Sequence, residues 1–153
     1  MSGERRPSLQ AVLFVCSLNA VRSPMAEALC RTRYGRQIYV DSAGLQKSDR
    51  DPFMLAVLRE IGIEFESDQP HVLEEVDYEG VDLVIALSPE AHARAQTILR
   101  ATAVELLHWP IPDATQAGGT REQRLHAYRE VRDRLDRLIR EEIGGRLKAR
   151  VTE

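Results

Sequence analysis

Residues 11–24 have the sequence AVLFVCSLNAVRSP, which joins an unbroken apolar run to a short polar loop and a proline. The run from Ala11 to Val15 is typical of a strand buried on both faces of a parallel sheet. Pro24 suits the first turn of a helix, where its missing N–H would have no partner. The segment 16–23, which we call the anion loop, is therefore predicted at the carboxyl edge of the sheet, where open α/β folds bind ligands.

The anion loop has the residue types of an oxyanion site with a nucleophile. A helix N-terminus offers unpaired N–H groups and a partial positive charge, so Cys16 is expected to ionise more readily than a free cysteine. Arg22 can bind two oxygens of a tetrahedral anion, and Asn19 tolerates left-handed backbone angles and can bond its neighbours. The pattern predicts attack on phosphorus or on arsenate. The predicted phosphate-binding residues are Ser17, Leu18, Asn19, Ala20, Val21, Arg22 and Ser23.

The rest of the chain alternates predicted strands and helices, which favours an α/β fold with a parallel sheet. The further strands are expected at 37–41, 81–87 and 104–108, and the helices at 24–34, 52–61, 89–100 and 120–143. Cys30 lies near the apolar side of the first helix and is interpreted as a core residue.

The anion loop resembles that of the low-molecular-weight protein tyrosine phosphatases and of the arsenate reductases on the same scaffold. The family loop is Cys-x-Gly-Asn-x-Cys-Arg-Ser-Pro, but Leu18 replaces its glycine and Val21 its second cysteine. The segment Asp41-Ser42-Ala43-Gly44 also matches. The resemblance implies a single three-layer α/β/α domain with a four-stranded parallel sheet in the order 2-1-3-4. It also implies that Asn19, Ser23 and Ser42 support the loop.

An acid is needed because a bare alkoxide leaves poorly from phosphorus, and a positioned acid contributes about 10²–10⁴ in rate. Asp113 is the predicted acid, since it follows the last predicted strand in a loop stiffened by prolines. The family has Asp-Pro at this place, whereas Ala114 follows the aspartate here. Asp51, which precedes a proline, is the weaker alternative.

Length and composition limit the remaining possibilities. The 153 residues suffice for one domain, predicted at 10–143 between a flexible N-terminal tail at 1–9 and a frayed C-terminal tail at 144–153. A net charge of −3 gives no reason to expect nucleic acid or a membrane as partner. Two cysteines fit a reducing, cytoplasmic location better than a disulfide framework. Because Arg22 and the loop amides carry the charge, neither a metal nor another cofactor is expected.

The resemblance implies a phosphate-monoester hydrolase, specifically a protein tyrosine phosphatase that forms a phosphocysteine at Cys16. Its substrate would be a phosphorylated protein or a small phosphate monoester, with inorganic phosphate or arsenate as ligands. One alternative is a thiol-dependent arsenate reductase with a single catalytic cysteine, and another is a non-catalytic module that binds phosphate or phosphopeptides. No aromatic residue stands between Ser42 and Asp51, where the phosphatases usually place a wall of the substrate cleft.

Overall fold

The computed structural model describes residues 8–65 and 70–152, and these form a four-stranded parallel sheet covered by helices on both faces. The predicted strand order is confirmed, since the sheet runs β2-β1-β3-β4. The strands are β1 (Ala11–Leu18), β2 (Tyr39–Gln46), β3 (Leu83–Ala86) and β4 (Glu105–His108). The helices are α1 (Arg22–Tyr34), α2 (Pro52–Arg59), α3 (Pro89–Ile98) and α4 (Arg121–Thr152).

Alternating residues of β1 divide the core into two layers. Val12 and Phe14 pack with side chains of α1, α2 and α4, whereas Leu13 and Val15 pack with side chains of α3. A central parallel strand must bury both faces, which explains the unbroken apolar run. The predicted three-layer α/β/α arrangement follows from this division.

The strands β1 and β2 extend further toward the carboxyl edge than the sequence indicates. Their pairing continues from Cys16 opposite Gly44 to Leu18 opposite Gln46. The first residues of the anion loop therefore lie in a strand, and Ser42 lies inside β2 instead of beyond its end. A Cβ atom on Gly44 would lie 2.5 Å from the Asn19 nitrogen. Glycine is needed there because of this close approach of two backbones.

The predicted frayed tail at 144–153 is wrong for residues 144–152, since α4 continues through Thr152. Gly144 does not end the helix. A Cβ atom at that position would lie 2.5 Å from the Tyr34 hydroxyl, so the glycine lets α4 approach α1 closely. Beyond it, Leu147 is buried and Arg146 forms ion pairs with Glu105 of β4 and Glu142 of α4.

The N-terminal boundary also shifts. Leu9, which was assigned to the flexible tail at 1–9, is buried in the core beside β1. Apolar burial of this kind ties a terminal segment to the domain. Residues 1–7 lie outside the described residues. Among the helices in the described ranges, none combines the length and apolar character needed to cross a bilayer.

Candidate active site

The anion loop lies in a cleft of about 580 Å³ at the carboxyl edge of the sheet. Residues from four segments line it, including Arg22 of α1, Asp51 before α2, Glu90 of α3 and Asp113 after β4. A larger cavity of about 750 Å³ lies at the amino edge of β3 and β4, and its described lining includes no cysteine. The cleft at the carboxyl edge is therefore the candidate site.

Cys16 is buried below this cleft, at the end of the apolar part of β1. Its Sγ lies 2.9 Å from the Ser23 hydroxyl, and the Ser23 N–H donates to it at 3.4 Å. On the other side, the thiol donates to the Leu18 carbonyl at 2.6 Å. The sulfur is thus enclosed between the N-terminus of α1 and a main-chain carbonyl.

This enclosure contradicts the expectation of a readily ionised thiol. Burial raises the pKa of the Cys16 thiol above its ordinary value, and it outweighs the lowering by the Ser23 hydrogen bonds and the Arg22 charge. Desolvation penalises the charged form of any buried acid. The thiol is therefore protonated at neutral pH in this conformation.

The peptide between Leu18 and Asn19 explains the inward carbonyl. While the Leu18 carbonyl faces the sulfur, the Asn19 N–H points the other way and donates to the Gln46 carbonyl at 3.3 Å. In a trans peptide the C=O and N–H point in opposite directions. No non-glycine residue within 8–65 and 70–152 has a positive φ, so Asn19 is not left-handed here. Rotation of this one peptide would replace the carbonyl beside Cys16 with an N–H donor.

Asn19 holds the loop through all four hydrogen-bonding positions of its side-chain amide. Its Nδ2 donates to Ser23 Oγ at 2.8 Å and to Ser42 Oγ at 3.1 Å. Its Oδ1 accepts from Arg50 Nη1 at 2.7 Å and from the His71 N–H at 3.2 Å. Ser42, which the resemblance implies supports the loop, thus contacts it through Asn19. Because two donors face Oδ1, the amide can have only one orientation.

A buried carboxylate stands behind this network, and the sequence analysis missed it. Ser42 donates to Glu27 Oε1 at 2.5 Å, and Glu27 also pairs with Arg31 one helical turn later. Burial raises the pKa of Glu27, although Ser42 and Arg31 act against this. Since Ser42 gives its proton to Glu27, its oxygen is left to accept from Asn19. A charged residue within the buried first half of α1 is the signal that could have revealed it.

Arg22 connects the anion loop to the loop that carries the predicted acid. Its Nη1 donates to the Ile111 carbonyl at 3.0 Å, and Asp113 lies two residues further along. Electrostatic effects of both Arg22 and Asp113 reach the Cys16 sulfur. The structure thus brings together the nucleophile, the guanidinium and the carboxylate that the sequence singled out.

Asp113 and Asp51 both line the cleft, but their contacts differ. Asp113 Oδ1 accepts from the Thr115 hydroxyl at 2.7 Å and from the Thr115 N–H at 3.0 Å. Asp51 caps α2, where it accepts from two backbone N–H groups, and its other oxygen accepts from the Tyr128 hydroxyl at 2.9 Å. Asp113 also caps a helix, but only the three-residue 3-10 turn Ala114–Gln116. Asp51 caps the longer α2 and is held by Tyr128 as well, so it is less suited to exchange protons with a substrate. Asp113 is the better candidate for the acid.

The comparisons agree with this geometry. A model of the family described as low molecular weight phosphotyrosine protein phosphatase matches residues 11–151. The chain belongs to this family. An arsenate reductase of Shouchella clausii is 31% identical over 142 residues, which are 92% of this chain and 94% of the relative.

Solved structures with the same fold include an arsenate reductase and a tyrosine phosphatase. An arsenate reductase in the phosphate binding state has a TM-score of 0.70 at 26% identity, over 90% of this chain and 98% of that one. The tyrosine phosphatase amsI of Erwinia amylovora has a TM-score of 0.75 at 20% identity, over 90% and 93% of the two chains, and shares the fold. The family thus contains cysteine-dependent phosphatases and arsenate reductases, and membership alone does not choose between them.

The cleft differs from the expected family cleft in its walls. Among the described residues that line it, none is aromatic, and the apolar contacts come from Leu18, Val21, Pro52 and Pro89. Phe53 is turned away toward α4, where it contacts Tyr128 with a ring-centroid distance of 5.4 Å. A substrate side chain would therefore meet small aliphatic groups and carboxylates instead of stacking on a ring.

Replacing Leu18 with glycine is expected to increase the affinity for inorganic phosphate by about two- to five-fold. Rotation of the Leu18–Asn19 peptide changes the backbone angles of both residues, and glycine widens the accessible range. The Leu18 side chain is 47% exposed, so its removal costs little packing. Phosphate affinity is measured by protection of Cys16 from iodoacetamide. Leu18→Ala is the control, because an equal gain in that variant would show that side-chain size matters instead of backbone freedom.

Replacing Thr115 with valine is expected to move the alkaline limb of the kcat/KM profile upward by about half to one pH unit. Burial alone would raise the pKa of Asp113, but the two hydrogen bonds from Thr115 and the charge of Arg22 lower it below its ordinary value. Losing the hydroxyl donor removes part of that lowering, so Asp113 keeps its proton to higher pH. The profile is measured with an alkyl phosphate, whose alkoxide needs the proton of Asp113 to leave. Thr97→Val, on the exposed face of α3, should leave it unchanged.

Proposed function

We propose that this protein is a phosphate-monoester hydrolase that forms a phosphocysteine on Cys16. The observation that carries the proposal is that Cys16 is buried beneath the cleft that Arg22 and Asp113 line, with the charges of both acting on its sulfur. A nucleophile, a cation for the developing charge and an acid for the leaving group are the parts that phosphate-ester cleavage needs.

The reaction would proceed in two steps. Cys16 first loses its proton to solvent, and the thiolate sulfur then attacks phosphorus. The bond from phosphorus to the ester oxygen breaks while Asp113 gives that oxygen a proton. Asp113 then accepts a proton from water, whose oxygen attacks the phosphocysteine and releases inorganic phosphate and the free cysteine. Arg22 binds the equatorial oxygens in both steps.

Binding and activation of the thiol are coupled in this proposal. In the described conformation the protonated Cys16 thiol donates a hydrogen bond to the Leu18 carbonyl. An anion would favour rotation of the Leu18–Asn19 peptide, because an N–H donor then faces it. The Ser23 hydroxyl and N–H remain in place to stabilise the thiolate. A phosphorylated protein is included among the substrates, and phosphotyrosine is the residue that the family description names.

A second candidate is reduction of arsenate with an external thiol, and the sequence similarity to an arsenate reductase favours it. A relay through internal disulfides needs two cysteines besides the nucleophile. The chain has only Cys30, which is fully buried in the core and whose pKa burial raises to about 12. Arsenate reduction by this protein would therefore depend on two molecules of a small thiol. The first attacks the sulfur of an arsenylated Cys16, which breaks the S–As bond, releases arsenite and leaves a mixed disulfide, and the second reduces that disulfide to free Cys16.

One experiment separates the candidates. The purified protein is given p-nitrophenyl phosphate, phosphotyrosine and phosphoserine peptides, and separately arsenate with a low-molecular-weight thiol. Hydrolysis with a stoichiometric burst of p-nitrophenol supports the proposed phosphatase. Arsenate-dependent oxidation of the thiol without ester hydrolysis would support the reductase instead. Phosphate binding with no burst and no thiol oxidation would indicate a non-catalytic phosphate-binding module.

A further inference from the structure

Arg50 lies in the wall of the candidate cleft, and its guanidinium binds Asn19 of the anion loop. We propose that Arg50 is a positioning residue, which acts through Asn19 to orient the donors of the anion loop. The inference rests on the proposed function, because it concerns how the same loop is prepared for phosphate. Neither the loop motif nor the Asp-Ser-Ala-Gly segment contains Arg50, and it is 31 residues from Asn19 in the chain.

One nitrogen of Arg50 makes two contacts with the same residue. Nη1 donates to the Asn19 main-chain carbonyl at 2.5 Å and to Asn19 Oδ1 at 2.7 Å. The guanidinium also lies over the Phe65 ring, with 5.4 Å between Cζ and the ring centroid. A planar cation held on an aromatic face keeps a fixed direction better than a flexible ammonium would.

The first consequence concerns the main chain. The Asn19 carbonyl points to Arg50, so the Ala20 N–H of the same trans peptide points away from Arg50. The next peptide has the same orientation, because the Asp51 N–H donates to the Ala20 carbonyl at 3.2 Å. Arg50 and the backbone beside it thus fix the direction of two successive N–H groups of the loop, which are the donors proposed for a phosphate oxygen.

The second consequence concerns the side chain of Asn19. Because the positively charged Arg50 donates to Oδ1, the oxygen end of the amide must face Arg50. Nδ2 must then donate to Ser23 and Ser42. Since Ser23 Oγ accepts from Asn19, its own proton is available for the Cys16 sulfur, 2.9 Å away, or for the Ala43 carbonyl. Arg50 therefore influences the thiol without touching it.

The arrangement leaves one peptide unrestrained by Arg50. The Leu18–Asn19 peptide, which has its carbonyl toward Cys16, lies on the other side of the Asn19 Cα from the gripped carbonyl. Arg50 can hold the second half of the loop while this peptide rotates. Loss of Arg50 should then weaken anion binding more than it slows the chemical step.

The test compares Arg50→Lys and Arg50→Ala with the wild type and with Arg94→Ala. Arg94 is an exposed arginine that pairs with Glu74 and is not among the residues lining the cleft, so it controls for loss of a surface guanidinium. Three quantities are measured: KM and kcat for p-nitrophenyl phosphate, protection of Cys16 from iodoacetamide by inorganic phosphate, and the alkylation rate without any anion. Melting temperatures show whether each variant is folded.

Arg50→Ala is expected to weaken phosphate protection and to raise KM, each by about ten- to a hundred-fold. This is the loss in affinity expected when one hydrogen bond from a charged group is removed. The value of kcat should change much less. Its anion-free alkylation rate should differ from that of the wild type, since the loop loses its restraint. Added guanidinium should restore phosphate binding in Arg50→Ala. The ammonium of Arg50→Lys should restore it only in part, and Arg94→Ala should behave as the wild type.

The outcomes separate the inference from the proposed function. The role of Arg50 would be overturned if the wild type is active and a folded Arg50→Ala has unchanged phosphate protection, KM and anion-free alkylation rate. A change in KM with an unchanged anion-free alkylation rate would also overturn it, because Arg50 would then contact the substrate instead of positioning the loop. A wild type that neither hydrolyses esters nor is protected by phosphate would contradict the proposed function itself.

Discussion

Replacing Cys16 with serine is expected to lower the turnover of p-nitrophenyl phosphate by a factor on the order of 10⁴ or more. A serine hydroxyl in this buried position has no base in hydrogen-bonding contact among the described residues, since the sulfur is bonded to Ser23 and to a main-chain carbonyl. A neutral hydroxyl is a weak nucleophile. Steady-state kinetics with a sensitive fluorogenic phosphate checks the size of the loss.

Cys30→Ala provides the matched control for this substitution. Cys30 is also buried, but it lies on α1 in the core and contacts none of the loop residues through a hydrogen bond described here. Its loss should lower stability slightly and leave kcat within the experimental scatter. Turnover retained in Cys16→Ser, or lost equally in both variants, would show that the sulfur of Cys16 is not the nucleophile.

The phosphate affinity of Cys16→Ser should remain close to that of the wild type. The donors of the loop are main-chain N–H groups and Arg22, and the substitution removes none of them. Binding of inorganic phosphate is measured by calorimetry or by the shift in melting temperature, which increases with ligand concentration when the folded state binds preferentially. A folded variant that has lost both turnover and phosphate binding would indicate a collapsed loop, and the loss of turnover would then not identify the nucleophile.

The sheet and the place of the site could be predicted from the sequence because the signals are local. The apolar run of β1, the proline after the loop and the segment around Ser42 each constrain a few adjacent residues. Parallel strands separated by helices then bring their carboxyl ends to one edge. That is why Cys16, Arg22 and Asp113 could be chosen before their positions were known.

The features that the sequence did not predict depend on contacts between distant parts of the chain. Gly144 resembles a helix stop, but its role depends on the Tyr34 hydroxyl more than one hundred residues earlier in the chain. The inward carbonyl of Leu18 depends on strand pairing with Gln46, which no motif of the loop encodes. Glu27 and Arg50 act through contacts made only in the folded protein. Which residues form the site can be predicted from local sequence patterns, whereas the orientations of these groups depend on tertiary packing.

The pKa of the Cys16 thiol likewise depends on the folded structure. A cysteine before a helix N-terminus is expected to be acidic, because the helix stabilises the thiolate. In the folded protein, desolvation of the sulfur is the larger effect, and the nearest polar oxygen is an acceptor. The sequence indicates which groups surround Cys16, but the balance between their effects depends on one peptide orientation.

Replacing Asp113 with asparagine is expected to reduce kcat by about 10²–10⁴ for alkyl phosphates, whose alkoxides need a proton to leave. For p-nitrophenyl phosphate the first step should be nearly unaffected, because p-nitrophenolate leaves without protonation. Asparagine keeps an oxygen that accepts from Thr115, so the loop geometry is preserved. Only the exchangeable proton is lost.

Pre-steady-state kinetics distinguishes the two roles assigned to Asp113. The variant should show a full burst of p-nitrophenol followed by slow turnover, because hydrolysis of the phosphocysteine needs a base to activate water. Asp51→Asn is the control within the same cleft, since asparagine is also a good helix cap. Its effect should be small and independent of the leaving group. If Asp51→Asn instead showed the dependence on leaving group and Asp113→Asn did not, the acid would be Asp51, and the cap that holds it would have to open during each turnover.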